Sequence, residues 1–387
     1  MKPVKVLFVT QWLEMYGATN SVTNLILDLK GRHNIEPFVL VPRQDIKYKS
    51  KIITEVLDEN DIPYYSIYME SWRTTFPGQD FFHILYYKVR KIYRNIKLIK
   101  EFKNNVSFIP DVIYSNSSVI DVGIWLALYL HKPHMWHIRE GEGSYHLQYI
   151  FPKKIVQRLF AKSDSVIAIS KYIQSECQQM GIKCTCQIYN GINICLPYKK
   201  DYYNYGCVNF AVVGNLIAIK RQLDVIKAAK ILKSKGFTEF KIYLIGDGED
   251  RDLLEREVTS LELNQYVEFC GYIRDVQKLL QRMDVGITAT SHEAFGLATV
   301  EYMMNYMPVI GNDSGATLEI IKDNEFGYLY HLGNVEELAA CMEKFLTMNY
   351  MIGKMGMSAR QEAEKYSVNN NTDNVYREIK RILRKEE

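Results

Sequence analysis

The 387-residue chain lacks several features that mark secreted or nucleic-acid-binding proteins. Its seven cysteines are odd in number and scattered, a pattern that favours reduced thiols over a disulfide framework. Cys184 and Cys186 stand two apart with no second pair at ligand spacing, so a zinc site is not predicted. The 48 basic and 45 acidic residues nearly cancel to a net charge of +3, which excludes a strong overall attraction for nucleic acid.

Long apolar runs are also missing at the start of the chain. The opening "MKPVKVLFVT" holds a short apolar run that stops at Gln11, so it predicts a buried strand and neither a signal peptide nor a membrane span. The following "FVTQWLEMYGATNS" has no Gly-x-Gly-x-x-Gly, which argues against a dehydrogenase. Together with the reduced thiols, which are typical of the cytosol, this pattern leads us to expect a cytoplasmic protein.

Short β-branched runs alternate with helical patterns along the whole chain. This alternation predicts parallel sheets with helical crossovers, an α/β fold of two doubly wound, Rossmann-like domains. The tyrosine-rich stretch from Leu196 to Gly206 has no periodicity and predicts a linker. We therefore expect domains at residues 1–197 and 207–365, a final helix at 366–387, and ligands in a cleft at the carboxyl ends of the strands. The runs that predict strands are VKVLFVT, EPFVLV, DVIYSNS, HMWHIRE, SVIAIS and CQIYN in the first half, and VNFAVVGN, FKIYLIGDG, YVEFCGY, DVGITATS and MPVIGND in the second.

The stretch "SHEAFGLATVE" places Glu293 and Glu301 eight positions apart. Residues 284–289 predict a strand and 297–306 a helix, so 291–296 form the loop at the strand's carboxyl end. The free N–H groups at a helix start bind anions, and two carboxylates beside such a site are suited to neutral hydroxyl groups of a ribose or sugar. The alternative is that Glu301 is only solvated on its helix and Glu293 is an ordinary loop residue.

These residues carry a resemblance to a known family. Glu293, Phe295, Gly296, Leu297 and Glu301 resemble the E-x7-E motif of the retaining GT-B glycosyltransferases of family 4. The likeness continues in order along most of the chain. The further segments that carry it are WHIRE, SDSVIAISKYI and IYNGIN in the first half, and VVGNLIAIKRQLDVIKAA, LIGDGEDRDLLE, VEFCGYIRDVQKLLQRMDVGI and MPVIGNDSGATLEII in the second.

The resemblance implies a GT-B fold whose last helix returns toward the first domain, and a transferase that binds a nucleotide sugar mainly through the second domain. Glu301 would then bind the ribose hydroxyls and Glu293 the donor sugar, with the N–H groups of Phe295 to Leu297 on the diphosphate. Lys220 would neutralise the departing diphosphate, whose negative charge grows in the transition state. The acceptor would bind the first domain.

Further donor contacts implied by the resemblance come from loops of both domains: Gly17 in the first, and Gly214, Asn215, Arg221, Gly246 and Arg274 in the second. Asn215 stands where the family usually has Arg, and Arg221 replaces the usual Gly beside Lys220. Arg221 would therefore supply the compensating cation. Arg274 is the most distinctive side chain of the segment that would line the base.

His137 matches the histidine that faces the donor sugar from the first domain of the family. It opens "HIRE" directly after the strand pattern "HMW", unlike the neighbouring His131, His134 and His146. An isolated histidine in an apolar context can equally be a hydrogen-bonded core residue. Both interpretations of His137 remain open at this stage.

The basic phosphate loop predicts catalysis without a metal or other cofactor. The reaction expected from the resemblance is hexose transfer from a nucleotide sugar, with UDP the expected nucleotide, to a glycan or lipid-linked acceptor in surface polysaccharide or capsule assembly. The leaving phosphate would help to deprotonate the acceptor, and the anomeric configuration would be retained. A non-catalytic GT-B protein that binds a glycan or partner, and a nucleotide-sugar epimerase, are the alternatives.

Residues 81–103 form a strongly basic amphipathic segment. Its apolar residues Leu85, Val89, Ile92, Ile96 and Ile99 lie at heptad spacing. From Lys88 onward the segment contains seven Lys and Arg residues and only one acidic residue, Glu101. Such a helix can lie on an anionic membrane. It can equally cover the sheet with its apolar stripe and leave its basic face in solvent.

Overall fold

A computed structural model describes residues 2–15, 17–44, 52–74, 81–141, 148–192 and 206–384. It divides into two compact units, one formed by Met1–Gly191 with Val368–Glu387 and the other by Ile192–Ser367. The predicted linker lies outside the described residues except for Gly206. No helix in the described part of the chain has the length and apolarity that a bilayer crossing requires.

The first unit is built on a seven-stranded parallel sheet. The strands of this sheet are β1 (Val4–Val9), β2 (Ile35–Pro42), β3 (Tyr64–Ile67), β5 (Val112–Ser115), β6 (His134–Ile138), β8 (Ser165–Ala168) and β9 (Cys186–Gln187). A separate two-stranded antiparallel ribbon is formed by β4 (Arg73–Thr74) and β7 (Gln148–Tyr149). The helices of the unit are α1 (Gly17–Arg32), α2 (Ile53–Glu59), α3 (Phe81–Asn105), α4 (Val122–Leu130), α5 (Lys153–Ala161) and α6 (Lys171–Gln179). Across the sheet the order is β3-β2-β1-β5-β6-β8-β9.

The second unit holds a six-stranded parallel sheet in the order β12-β11-β10-β13-β14-β15. Its strands are β10 (Val208–Val213), β11 (Phe240–Ile245), β12 (Val267–Gly271), β13 (Val285–Thr288), β14 (Val309–Asn312) and β15 (Gly327–Tyr330). Its helices are α7 (Gln222–Ser234), α8 (Arg251–Ser260), α9 (Val276–Leu280), α10 (Leu297–Met304), α11 (Thr317–Ile320), α12 (Val335–Thr347) and α13 (Tyr350–Ala363). Two successive parallel sheets flanked by helices confirm the predicted α/β fold class.

The last helix, α14 (Val368–Leu383), belongs to the first unit. Its apolar side chains Val375, Ile379 and Ile382 are buried in the same cluster as Val6 and Phe8 of β1. The chain therefore returns to the first sheet after the second unit is complete, as the fold class predicts. Burial of this apolar face is what holds a helix so distant in sequence against the sheet.

Helix α3 turns most of its apolar stripe away from the protein, which contradicts one of the two interpretations of its sequence. Leu85, Val89, Ile92 and Ile96 are exposed, whereas Lys91 is buried. The interpretation in which this stripe covers the sheet beneath a solvated basic face is therefore wrong. The buried Asp121, which forms an ion pair with Lys91, accounts for this orientation.

Candidate functional site

The second sheet has its topological switch point between β10 and β13. These adjacent strands are separated by two others in the chain, since β11 and β12 lie on the far side of β10. The loops that follow them meet there: the Ser291 N–H donates to the Ile219 carbonyl at 3.0 Å. In open α/β sheets this crevice at the carboxyl ends is where ligands bind.

Two glycine-containing loops seal one side of this crevice. Gly214 and Gly246 have φ angles of +153° and +142°, and a Cβ on Gly246 would stand only 2.1 Å from the Gly214 carbonyl oxygen. The Leu216 N–H donates to Asp247 O and the Asp250 N–H donates to Leu216 O, both at 3.0 Å. Glycine is needed for this approach, because any side chain would push the two loops apart.

Lys220 and Glu293 meet across the switch point. Lys220 ends a short 3-10 turn, Ala218–Lys220, and its Nζ lies 3.1 Å from Glu293 Oε2. The two side chains remain 25% and 19% exposed, so the pair is accessible to an incoming ligand. A lysine in this position can exchange part of its interaction with the carboxylate for a phosphate group. The two predicted catalytic residues of the second unit are thus brought together.

Helix α10 begins at the end of the same loop. Gly296 adopts φ +93° at the N-cap, and no side chain caps the helix through a hydrogen bond. The first turn contains no acidic residue, so its free N–H groups and positive dipole end are available to an anion. Leu297 is the first residue of this turn, in the position that the resemblance assigns to the diphosphate.

Phe295 anchors this loop in the protein interior. The side chain is 2% exposed, and its ring packs edge-on against Tyr366 with centroids 5.6 Å apart. Only the backbone of Phe295 is therefore in a position to contact a ligand. The buried ring fixes the direction in which that backbone enters α10.

Glu301 lies one turn into α10 and is part-buried. Burial raises the pKa of its carboxyl group to about 7. The carboxyl group has no hydrogen-bond partner within the described ranges of the chain. Hydroxyl groups of a bound sugar or ribose would supply the hydrogen bonds that it lacks.

The loop after β14 supports Glu293 from behind. The Ala316 N–H donates to Glu293 O at 2.8 Å, and the His292 N–H donates to the Ser314 hydroxyl at 3.0 Å. Gly315 has φ +61°, and a Cβ there would lie 2.5 Å from Glu293 O. Ser314 and Gly315 are thus positioning residues that the sequence analysis did not name, although it quoted their segment.

Tyr302 is a second support that sequence reasoning missed. Its buried hydroxyl accepts a hydrogen bond from the Val213 N–H at 2.6 Å, directly before Gly214. Gly286 of β13 leaves the room for its ring, since a Cβ there would come within 2.1 Å of Tyr302. The available signal was its position directly after Glu301, because one residue further along α10 turns the side chain by about 100°, away from that carboxylate.

Three further predicted residues lie at the surface of the second unit. The Asn215 side chain is exposed, and the backbone carbonyl of Asn215 accepts a hydrogen bond from Gln222 Nε2 at 2.9 Å. Arg221 adopts φ +54° and pairs with Asp224 at 2.7 Å, so part of its charge is already neutralised. Arg274 is exposed after β12. Their proposed contacts with the nucleotide stay predictions.

His137 lies on β6 in the core of the first unit. Its imidazole is completely buried, with Nδ1 2.5 Å from the Tyr114 hydroxyl and 3.4 Å from Arg139 Nη2. Burial, helped by the Arg139 charge, holds the pKa of His137 well below its ordinary value. This is the environment of a neutral core histidine. A contact with a donor sugar would require the ring to be uncovered, and that role stays a prediction.

Gly17 and Arg139 flank the switch point of the first sheet, between β1 and β5. Gly17 is exposed and begins α1, while the neighbouring Tyr16 lies outside the described residues. Arg139 is buried, and its Nε donates to Asn116 Oδ1 at 2.6 Å. This guanidinium also donates to Ser21 at 3.2 Å, and so ties the end of β6 to α1. The sequence analysis did not name Arg139, because it considered only the histidine of the segment "HIRE".

The chain contains one Asp-x-Asp sequence, Asp250-Arg251-Asp252, which bears on the prediction of catalysis without a metal. It lies at the start of α8, where Arg251 Nε donates to Glu255 at 2.8 Å. In the described ranges no group of three His, Cys, Asp or Glu side chains could hold a metal ion. The prediction of metal-free catalysis remains untested.

Comparison with known proteins agrees with this geometry. Residues 208–366 match the family model described as glycosyl transferases group 1, and residues 16–195 match that of glycosyltransferase family 4. The crystal structure of Anabaena HepE in complex with UDP and glucose superimposes with a TM-score of 0.76 at 19% identity, covering 97% of this chain and 99% of that one. The two sheets and their switch points therefore define a GT-B fold.

Two curated relatives have sequences similar to part of this chain. The lipopolysaccharide core biosynthesis glycosyltransferase LpsE of Rhizobium meliloti is 29% identical over 159 residues, 36% of this chain and 47% of that protein. The N-acetyl-alpha-D-glucosaminyl L-malate synthase of Bacillus anthracis is 28% identical over 211 residues, 52% of this chain and 55% of that protein. This chain thus matches less than two thirds of the length of either relative. The chain belongs to the family 4 glycosyltransferases of GT-B fold.

Proposed function

We propose that this protein transfers a sugar from a UDP-sugar to a glycan or lipid-linked acceptor in surface polysaccharide biosynthesis. The observation that carries the proposal is the accessible Lys220–Glu293 pair beside the uncapped start of α10. A cation, a carboxylate and free N–H groups converge there at the switch point. A nucleoside diphosphate sugar offers the phosphates and hydroxyls that such a set binds.

In the proposed reaction the second unit holds the donor. The α10 N–H groups and Lys220 bind the diphosphate, Glu293 accepts hydrogen bonds from the donor sugar, and Glu301 binds the ribose. The bond between the sugar's anomeric carbon and the diphosphate oxygen breaks, and its electron pair stays with the diphosphate. Lys220 stabilises the negative charge that develops on this leaving group.

The acceptor hydroxyl attacks the anomeric carbon from the same face that the diphosphate leaves. Its proton passes to an oxygen of the departing diphosphate. Because the acceptor enters on the face that the diphosphate leaves, the anomeric configuration of a transferred hexose is retained. This route uses no paired-carboxylate nucleophile and no metal. Nuclear magnetic resonance of the product tests it, since an inverted anomer would exclude the same-face route.

The choice of UDP and of polysaccharide rests on relatives. HepE was crystallised with UDP and glucose, and LpsE is named for lipopolysaccharide core biosynthesis. Cytoplasmic action fits the six cysteines within the described residues, none of which forms a disulfide. The acceptor is assigned to the first unit, whose switch point carries Gly17 and the start of α1.

A donor screen tests the proposal. Purified protein is mixed with UDP-, GDP-, dTDP- and ADP-sugars, and slow nucleotide release and thermal shift are followed together. Release from one UDP-sugar is expected, because water can replace the acceptor slowly. Binding of a nucleotide sugar with no nucleotide release, and no sugar transfer when acceptors are added, would favour a non-catalytic protein. Interconversion of free nucleotide sugars would favour an epimerase.

A further inference from the structure

One face of α3 is apolar and exposed over four turns of helix. Seven large side chains on it are between 46% and 77% exposed. With about 100° of rotation per residue, they fall within an arc of roughly 120°. The seven are Phe82, Leu85, Tyr86, Val89, Ile92, Tyr93 and Ile96. A continuous patch of this kind marks an interaction surface.

The buried face of α3 fixes this orientation through polar contacts. Lys91 Nζ lies 2.6 Å from Asp121 Oδ1, with the side chains 1% and 0% exposed. Asn95 Nδ2 donates to Asp121 Oδ2 at 3.0 Å, and Lys91 also donates to Glu70 O. Rotating the apolar stripe inward would break this pair and leave a charge buried alone. The helix is therefore locked with its apolar face outward.

The charges around the exposed face select its partner. Lys97, Lys100 and Lys103 are exposed at the carboxyl-terminal end of the helix. The single acid of the segment, Glu101, forms an ion pair with Arg43 at 2.7 Å. Two copies joined through this face would bring like charges together, whereas an anionic lipid surface complements them.

The aromatic residues point to the same partner. Phe82, Tyr86 and Tyr93 lie along the exposed face among aliphatic side chains. Tyrosine is favoured at the boundary between lipid headgroups and acyl chains, where its ring is apolar and its hydroxyl is wet, and phenylalanine inserts on the apolar side of that boundary. The combination of aliphatic stripe, aromatic residues and terminal lysines matches a helix that lies in the plane of a membrane surface.

We propose that α3 docks the first unit on an anionic bilayer, with Phe82 to Ile96 against the acyl boundary and the three lysines on lipid phosphates. The inference goes beyond the proposed function, because vesicle binding requires neither donor nor turnover. It also decides which residues carry the contact. Lys91 is excluded by its burial, and the exposed aliphatic residues are included.

Co-flotation of the full chain with lipid vesicles tests the proposal. Vesicles of phosphatidylglycerol and phosphatidylcholine in equal parts should carry the protein, and phosphatidylcholine alone should carry far less. The double variant Val89→Glu, Ile92→Glu should lower binding about tenfold or more, since it places charges in the contacting face. Met357→Glu, at a side chain 60% exposed on α13 of the second unit, is the matched control and should bind like the wild type.

A second variant keeps the test independent of folding. Lys97→Glu, Lys100→Glu and Lys103→Glu together change only exposed side chains and should also release the protein from anionic vesicles. Wild-type protein that stays behind, or unchanged flotation of both variants, overturns the proposal. A dimer seen by light scattering without vesicles, and lost in the Val89→Glu, Ile92→Glu variant, would instead assign the face to a second copy.

Discussion

Lys91 and Asp121 of the first unit form one lysine–carboxylate pair, and Lys220 and Glu293 of the second unit form another. The two pairs differ more in the exposure of their side chains than in the distance between their charged atoms. Lys220 and Glu293 lie 3.1 Å apart and are 25% and 19% exposed. Lys91 and Asp121 lie 2.6 Å apart and are 1% and 0% exposed. Distance alone would rank the buried pair as the stronger candidate for chemistry. Exposure shows that only the first pair can exchange a partner for a ligand.

The comparison distinguishes an ion pair that a ligand can reach from an ion pair that maintains the packing of the fold. A buried pair has lost its hydration and cannot be opened without a large cost. A partly exposed pair gains little from its own attraction, and it can open toward phosphate at small cost. Substitutions in the two pairs should therefore affect different properties of the protein.

The largest effect is expected at the buried pair. Lys91→Ala leaves Asp121 as an uncompensated buried charge, which should lower the free energy of unfolding of the first unit by about 3 to 5 kcal/mol. Urea denaturation followed by circular dichroism measures the change. The double variant Lys91→Met, Asp121→Asn should recover most of the loss, because it removes both charges and keeps a side-chain oxygen that accepts the hydrogen bond from Asn95.

This prediction also controls the orientation of α3. A loss below about 1 kcal/mol in Lys91→Ala would mean that the pair does not lock the helix, since that is the range of exposed pairs. Lys278→Ala is a matched control. Lys278 is 82% exposed in its pair with Asp275, and its removal should leave stability unchanged.

Removal of the accessible lysine should affect turnover instead of stability. Lys220→Ala is expected to slow sugar transfer by roughly two to three orders of magnitude, because it removes a cation that stabilises the departing diphosphate. The melting temperature should stay close to that of the wild type. Steady-state assays with the donor found in the screen measure the effect, and near-normal turnover would remove Lys220 from the catalytic set.

Glu301 offers a pH-dependent test within the same site. Its carboxyl pKa is raised from 4.5 to about 7, so the folded state holds this proton more tightly than the unfolded state. Stability should therefore fall as the pH rises from 4.5 to 7, by up to about 3 kcal/mol. Glu301→Gln should remove this fall while weakening UDP binding about tenfold.

Thermal melts at pH 5 and pH 8, with UDP titrations, measure both effects of Glu301→Gln. A variant that keeps the wild-type pH profile would show that Glu301 is not the titrating group. Unchanged UDP affinity would mean that the carboxylate does not bind the nucleotide. Asp252→Asn, at an exposed carboxyl group on α8, is the matched control for a simple charge change.

The smallest effect concerns metal. Addition of a chelator such as EDTA should leave the rate of transfer unchanged, since Lys220 and the α10 N–H groups supply the positive charge that a metal would otherwise provide. Donor turnover with and without the chelator is the measurement. Restoration of a lost rate by magnesium or manganese would contradict metal-free catalysis.

Much of the fold and of the second-unit site follows from local patterns. All eleven β-branched runs named from the sequence form strands of the two sheets. The loop from Ser291 to Gly296 lies between β13 and α10, as its turn and helix-start residues predict. Two strands of the large sheets were not named by the sequence analysis, β3 and β15, which are four residues each and rich in tyrosine. The two-residue strands β4 and β7 of the antiparallel ribbon were not named either. Short edge strands carry too little alternation to be distinguished from loops.

The missing parts depend on residues distant in sequence. The rotation of α3 is decided by Asp121, which lies 30 positions beyond Lys91 and outside its helix. The raised pKa of Glu301 is caused by tertiary burial, and the buried state of His137 by the strands around β6. An amphipathic pattern states that a helix has two faces. It does not state which face meets the protein.

The most direct test of the central claim is UDP release by Glu293→Ala beside the wild type, with UDP binding followed by thermal shift. The wild type should release UDP slowly from one UDP-sugar. The variant should be slower by roughly two orders of magnitude while its binding of UDP is kept, because its lost contact is with the sugar. Equal release by both proteins would contradict the assignment of the Lys220–Glu293 pair as the reacting centre.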